Sequence, residues 1–404
     1  MMLTKYRLIG MVLIVVAIVL AAAVIYRNSL RRQIPLVFSH KIILDSTWAN
    51  YKNTYIERGS SRTLDKQRQN ITTSEGQSYT MMRAVWLDDK STFDSSWQWT
   101  KANLQRQDKL FSWLYGKLAD GTFGVEQKNG ASNSASDADV DIALSLIFAY
   151  ERWREAPYLE EALPILRSIW DNEVLLIGGK PYLLANNLEK NSNKEDVIVN
   201  PSYFAPYAYK VFFQYDRGRQ WLLLAGSSYD LLERAMNASL GGRQTKKLPP
   251  DWLVINRKTG ELGAHENVEL STNFGYDALR VPWRITLDWQ WFADPRAKAL
   301  LEQMQFLADE WNEHGLLSLY HHDGSIAEQR EFPALYGGTI GFFSTVYPEI
   351  ALEIYRNKLV ILFDPDRQSW KKELSYYDDN WAWFGMAMYH KVLPNLSAPR
   401  AGSQ

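Results

Sequence analysis

Three carboxylates fall within five positions, Asp137, Asp139 and Asp141, at the head of the stretch ASDADVDIALSLIFAYERW (residues 135–153). A helical apolar pattern follows, with Val140, Ala143, Leu144, Ile147 and Tyr150 on one side and Ile142, Leu146, Ala149 and Trp153 beside it. A helix apolar over so much of its circumference is buried. The acids therefore stand at the mouth of a core helix. Ser136 is placed to cap it, with Asp139 three residues on in a capping-box position. Capping alone is one account, since acids answer the positive end of a helix at about 0.3–1 kcal/mol each. It suits three acids less well. Asp137 and Asp141 are i,i+4 neighbours, and like charges at that spacing oppose each other by about 0.2–0.5 kcal/mol. The other account is proton chemistry by carboxyl groups.

Two more stretches offer such groups. In SEGQSYTMMRAVWLDD (residues 74–89), Ser74 and Gln77 have capping-box spacing, and Tyr79, Met82, Val85 and Trp86 recur at helical intervals. Glu75 then lies in the first turn of a second buried helix, where a plain helix-end acid would also lie. In GYDALRVPWRITLDWQWF, from Gly275, Asp277 and Arg280 are three apart and within reach of each other on a helical turn. Pro282 cannot continue a regular helix, so the backbone kinks or restarts there. A broken helix end can aim a side chain into a cavity; a surface Asp–Arg pair is the plainer account. A fourth stretch, NPSYFAPYAYKVFFQYD from Asn200, reads as a turn followed by a helix.

Together these stretches resemble glycoside hydrolase family 8. The first matches that family's signature at Ala135, Ser136, Asp137, Ala138, Asp139, Ile142, Ala143, Ser145, Leu146, Ala149 and Trp153. The second matches the segment carrying the family's catalytic acid, Ser-Glu-Gly-Gln followed by an aromatic and Met. It departs at Ser78 and Thr80, where glycines are common. The third matches the Tyr-Asp-Ala-x-Arg of one large subgroup at Tyr276, Asp277, Ala278 and Arg280, where the Asp is the general base. YYDDNWAWFGMAMYHKVL, near the end of the chain, resembles the family's closing helix.

The resemblance implies an all-α fold, a six-hairpin α/α toroid with small β-hairpins in its loops. It also implies inverting, endo-acting cleavage of a β-1,4-linked polysaccharide: cellulose-like, chitosan-like or an exopolysaccharide. Cleavage of a glycosidic bond needs a proton on the leaving oxygen and a nucleophile at the anomeric carbon, and two carboxyl groups can supply both. On this pattern Glu75 is the acid, Asp277 the base, and Asp137 a third acid that holds the sugar. Arg280 is the counter-ion of Asp277. Tyr203, Tyr276, Arg280 and Trp113 are the substrate contacts. Asp137 as a covalent nucleophile is the competing mechanism. A helix start should lower the pKa of Glu75, so burial or a nearby carboxylate, such as Asp137, has to raise it. The alternative of a different class is a non-catalytic glycan-binding or scaffold protein of an exopolysaccharide secretion system.

Composition narrows the field. The 404 residues carry 45 basic and 46 acidic side chains in no basic block, which argues against a nucleic-acid partner. The absence of cysteine excludes disulfides, thiolate metal sites and a cysteine nucleophile. No cofactor is implied. No metal is expected either, since adjacent His321 and His322 on a strand point to opposite faces. Sixteen Trp and 22 Tyr exceed what sugar stacking needs, so most are core; Trp97, Trp99, Trp113, Trp283, Trp289 and Trp291 cluster near the motifs.

Residues 8–26 form nineteen positions without a charge, about long enough to cross a bilayer core. The organisation expected is a cytoplasmic stub (1–7), a transmembrane anchor (8–26), a connector (27–40), one catalytic domain (41–396) and a tail (397–404). Ala21-Ala22-Ala23 would suit a cleaved signal peptide, but the apolar run continues past it. The Lys/Arg count slightly favours an inside domain; an enzyme for large polysaccharides is of most use outside, and a single-pass, outward-facing membrane protein is the expectation adopted. Its partners would be the polysaccharide, the membrane and a polysaccharide synthase or secretion complex. Helices are expected over 39–56, 92–106, 108–117, 157–170, 217–237, 295–314, 336–355 and 377–392. Strands are expected on either side of Gly178-Gly179, around 258–260 and over 316–325.

Overall fold

Long apolar stretches in this chain become helices that line a ring, and amphipathic ones become helices that back it. The computed structural model describes residues 39–127, 130–316 and 318–398. The expected anchor at 8–26, the stub and most of the connector and tail lie outside the described residues. Among the described residues no helix is long and apolar enough to cross a membrane. Contacts divide the chain after Ile43, and the second unit begins at Leu44.

The main helices are α1 (His40–Tyr55), α2 (Ser74–Trp86), α3 (Lys90–Asn103), α4 (Ser136–Trp153), α5 (Ala156–Glu173), α6 (Pro206–Tyr215), α7 (Trp221–Asn237), α8 (Arg280–Phe292), α9 (Pro295–Glu302), α10 (Gln305–Glu313), α11 (Pro333–Val346) and α12 (Tyr376–Tyr389). In order, α2, α4, α6, α8, α11 and α12 each pack on the next. The ring closes where Arg83 of α2 donates to Asp379 and Asn380 of α12, 3.0 and 3.2 Å away. Outside it, α3 backs α2, α5 backs α4, α7 backs α6, α9 backs α8, and Pro348–Ile354 backs α11. From Leu44 onward α1 lies on the closure: the Arg83 guanidinium sits over Trp48 and Tyr51, and the Trp383 indole donates to Leu44 O.

Burial explains the division. Every residue of α4 from Ser136 to Ala149 is buried, as its all-round apolar sequence predicts. On α5, by contrast, only one stripe is buried. The tightest contact joins α11 to α12, where glycine faces glycine: a Cβ on Gly337 would stand 1.9 Å from Trp381 O, and one on Gly385 would stand 2.4 Å from Gly337 Cα. Only hydrogen side chains allow that approach.

Short antiparallel strands sit in the loops. Thr72–Thr73, Leu114–Lys117 and Phe123–Gly124 form one three-stranded sheet; Asp196–Val199, Leu253–Asn256 and Leu262–Gly263 form another. Val174–Ile177 and Lys180–Leu183 make a hairpin around Gly178 and Gly179, whose φ values of +57° and +82° suit its two-residue turn. Several expectations fail: the helix over 295–314 is two helices, α9 and α10, and the strand over 316–325 is Ser318–Tyr320 followed by a turn into Ile326–Gln329. Residues 108–117 are not helical: the Phe111 amide goes to Asp139, the Trp113 amide to Asn133 O, and Leu114–Lys117 is a strand. Ser74 does not cap α2, because Thr73 does, accepting from Gly76 N at 3.0 Å. Gln77 instead crosses to Thr63, Ser96 and Thr100. Ser136 and Asp139 form no capping box either. Ser136 Oγ donates to Leu184 O, and Asp139 takes the Phe111 amide. Pro282 marks a restart rather than a kink, since α8 begins at Arg280 and the proline falls in its first turn.

Candidate active site

The N-terminal ends of the inner helices meet at one mouth of the ring. Glu75 lies in the first turn of α2 and Asp137 in the first turn of α4. Asp277 lies in the turn that leads into α8 at Arg280. Tyr203 ends a short 3-10 turn before α6, fixed by Asn200, whose side chain accepts from Ser202 N.

Arg280 draws the three acids together. Its Nη1 donates to Glu75 Oε2 at 2.7 Å and to Asp137 Oδ2 at 3.1 Å, and its Nη2 donates to Asp277 Oδ1. Tyr79 OH stands 3.4 Å from Nη1, and the guanidinium lies 5.4 Å from the centre of the Tyr203 ring. Arg280 is 1% exposed and Asp137 3%, whereas Glu75 and Asp277 keep 26% and 27% of their side-chain surface. Two carboxyls therefore open towards solvent, with a cation and a third carboxyl beneath them.

Electrostatics follow from that layering. Three carboxylates on one guanidinium carry excess negative charge, so the cluster favours a proton. Burial pushes Glu75 up to about 7; Arg280 pulls it down, while Asp137 and Asp277 push it up. Burial also raises Asp137, against Arg280 and Arg284. The helix-end lowering expected for Glu75 is overridden by burial. Burial opposes the charge on Arg280, but Asp277, Tyr79 and Glu75 hold its pKa well above the ordinary value.

One turn deeper the pattern repeats. Arg284 donates through two nitrogens to Asp141, at 3.0 and 2.8 Å, and to Tyr207 OH at 2.8 Å. The i,i+4 acids of α4 thus face the i,i+4 arginines of α8 across the ring. Beneath them a cavity of about 10 Å³ is lined by Tyr79, Met82, Asp141, Tyr207, Trp283 and Arg284. Side chains thus all but fill the ring below the acids. The remaining acid of the α4 cluster, Asp139, points elsewhere, accepting from Phe111 N and hydrogen-bonding Glu173; burial raises both carboxyls, Glu173 to about 8.

The other expected contacts lie around the rim. Tyr276 is 37% exposed, its ring 4.9 Å from Phe332 and 6.1 Å from Tyr377, whose hydroxyl donates to Tyr276 O. Trp113 is half-buried beside the start of α2: its carbonyl accepts from Ser74 N, and its indole donates to Gly130 O. Of the remaining tryptophans, Trp97 and Trp283 are core, and Trp291 packs on Phe148 and Tyr207. His321 and His322 are not on a strand as expected but in the turn between Ser318–Tyr320 and Ile326–Gln329, where their rings go to separate partners, Asn273 and Ala238 O. Sequence reasoning missed Tyr79, Tyr207, Arg284 and Asp251. Of these Arg284 left a signal in matching the Asp137–Asp141 spacing, and Tyr79 in being the aromatic of the Ser-Glu-Gly-Gln segment.

Known proteins are similar to this chain in sequence and in fold. A model of the glycosyl hydrolases family 8 matches residues 26–316. "Endoglucanase 2" of Ruminiclostridium josui is 28% identical over 264 residues, 63% of this chain and 52% of that protein. "Endoglucanase A" of Acetivibrio thermocellus is 25% identical over 328 residues, 79% and 64% of the two chains. This chain thus spans about half to two thirds of the length of the curated relatives it matches. The crystal structure of an endo-1,4-D-glucanase from Vibrio fischeri aligns with TM-score 0.72 and 25% identity, over 85% of this chain and 94% of that one. The chain belongs to glycosyl hydrolase family 8, and the described helices form that family's α/α toroid.

Proposed function

We propose that this chain is an inverting, endo-acting hydrolase of β-1,4-linked polysaccharide. The observation that carries the proposal is the meeting of Glu75, Asp137 and Asp277 on the single guanidinium of Arg280. The names of its relatives, endoglucanases and an endo-1,4-D-glucanase, support the substrate class and the endo mode.

Glu75 is the general acid. Raised to about 7, it keeps its proton through mildly acidic pH and can deliver it to the leaving oxygen. Asp277 is the general base, held by Arg280 on the far side of the cluster. Oxygens bonded to the two ends of one guanidinium lie within roughly 8 Å of each other, a bound that the roughly 5 Å of retaining enzymes also meets, so the choice of inversion rests on the family resemblance. Inverting enzymes place their carboxyls about 6.5–9.5 Å apart, which leaves room for the attacking water. Water then gives its proton to Asp277 as it attacks the anomeric carbon opposite the departing sugar. Asp137 holds the sugar beside the scissile bond. Its deep position argues against a nucleophilic role: Oδ1 accepts from Ala138 N and Oδ2 from Arg280. Tyr203, Tyr276 and Trp113 supply ring surface along the mouth; Ser78 and Thr80, which stand in place of the family's glycines, are fully buried and bonded to Glu75 O and to Tyr51 and Thr63.

The nineteen uncharged residues at 8–26 support a membrane anchor that keeps the six-hairpin domain (41–396) at the outer cell surface, near a polysaccharide synthase or secretion complex. The full chain is tested against cellulose-like, chitosan-like and exopolysaccharide substrates for release of reducing sugar. Activity lost in Glu75→Gln and in Asp277→Asn, with the α-anomer formed first by proton NMR, is the expected result. A first-formed β-anomer would instead make Asp137 a nucleophile. No release from any substrate would leave a glycan-binding scaffold.

A further inference from the structure

We propose that Asp251 is a positioning residue for Asp277: one of its carboxylate oxygens gathers the amides of the turn from which Asp277 reaches Arg280. The inference rests on the hydrolase reading above.

Asp251 Oδ1 accepts from the backbone amides of Gly275, Asp277 and Ala278, at 3.1, 3.0 and 2.7 Å. These amides open the turn before α8, where no helical carbonyl precedes them to accept. No cap serves α8 itself: Leu279 stands in the N-cap position with no side-chain bond. The acceptor comes instead from 26 residues upstream, on the approach to the strand Leu253–Asn256. Asp251 is in turn fixed by its own amide, which donates to Asn273 O at 2.6 Å. Its side chain is 9% exposed.

The packing leaves no slack. A Cβ on Gly275 would stand 2.4 Å from Asp251 Oδ2, so the carboxylate fills the space that any larger residue at 275 would need. Trp252, the next residue, packs edge-on against Tyr203 at 5.8 Å, and Tyr203 underlies Arg280. One dipeptide therefore braces both the turn that carries Asp277 and the ring beneath its counter-ion. Burial and the facing Asp277 push the Asp251 carboxyl up to about 8, while the three amides pull it down. An Oδ1 that accepts does so whether or not Oδ2 holds a proton. The site needs an acceptor at this point rather than a charge.

That requirement shapes the test. In the full chain, kcat and KM on a soluble β-1,4-glucan such as carboxymethylcellulose are measured for Asp251→Ala, Asp251→Asn, Gly275→Ala and Asp277→Asn, each normalised to folded protein by thermal unfolding. Misplacing a reacting group by about 1 Å costs on the order of 100-fold. Asp251→Ala and Gly275→Ala are expected to lose about 10–100-fold in kcat, with KM within about threefold. Asp251→Asn, whose amide oxygen accepts the same three bonds, is expected to recover most of that loss. Wild-type kcat in Asp251→Ala and Gly275→Ala would overturn the inference. So would an Asp251→Asn variant as inactive as Asp277→Asn, which would make Asp251 a reacting carboxyl. If Asp251→Ala does not fold, Asp251→Asn and Gly275→Ala decide between these outcomes. An active Asp277→Asn would overturn the assignment of the base itself, a different failure.

Discussion

Replacing Glu75 by Gln should remove activity and, at alkaline pH, make the protein more stable. The fold raises this carboxyl from an ordinary 4.5 to about 7, chiefly by burial. Below about pH 4.5 the group is protonated in both folded and unfolded chains, and its burial carries no ionisation cost. As pH rises from about 4.5 to about 7 the unfolded chain ionises this group while the fold still holds it protonated, so stability is lost across that window and levels off above it, where both states are ionised. At about 1.36 kcal/mol per pH unit the full penalty is about 3 kcal/mol. The remaining exposure of the side chain, 26%, softens that figure, so about 1–3 kcal/mol is expected. Gln cannot ionise and avoids the penalty. Urea unfolding of wild type and Glu75→Gln from pH 4 to pH 9 gives the comparison. The two midpoints should coincide near pH 4, separate from about pH 5 to pH 7 with the variant higher, and stay a constant distance apart above that. A difference that does not change with pH would refute the reasoning, as would a wild type that gains on the variant above pH 7.

Two further perturbations test what lies under the site. Asp141→Ala leaves Arg284 charged and 2% exposed with the Tyr207 hydroxyl and the field of Asp137 in place of its paired carboxylate, and should cost about 3–5 kcal/mol in urea unfolding. Asp141→Leu combined with Arg284→Met removes both charges and should lose far less; equal losses would show that packing, not charge, sets the cost. Gly337→Ala forces a methyl to 1.9 Å from Trp381 O and should cost about 3 kcal/mol or more in thermal or urea unfolding. Gly218→Ala meets nothing nearer than 3.7 Å and serves as the control expected to stay near wild type.

What could be read from the sequence was whatever sits in one short stretch. Glu75, Asp137 and Asp277 each stand in a local motif beside a helix start, and all three are at the mouth of the ring. Helix α4 was legible because a stretch apolar all round has nowhere to go but the core. The segment 108–117 was not, because Leu110, Phe111, Trp113 and Leu114 are as compatible with a buried strand as with a helix. Its amides found partners that local spacing does not reveal, in Asp139, Ala131 and Asn133. Capping failed for a similar reason. Ser74 and Ser136 sit one residue inside their helices, where Thr73 in one case and the tertiary partner Leu184 in the other decide the bonding. Asp251 carried no local signal, since its role exists only once a turn 26 residues later folds onto it.

The two arginines explain which acid keeps the proton. Asp137–Arg280 and Asp141–Arg284 both join residues 143 apart, so one register of α4 against α8 makes both pairs at once. A slip of one residue would break both, which makes the buried charges a device for alignment. The same register sets the protonation order. Asp137 feels two cations, Arg280 from above and Arg284 from below, and it also accepts the Ala138 amide. Glu75 feels Arg280 alone, against Asp137 and Asp277. The proton that excess negative charge demands therefore settles on Glu75, the more exposed of the two and the one facing the mouth of the ring. Arg284, a full turn below, thus helps to decide which carboxyl holds the proton, and so which would act as the acid in the mechanism proposed above.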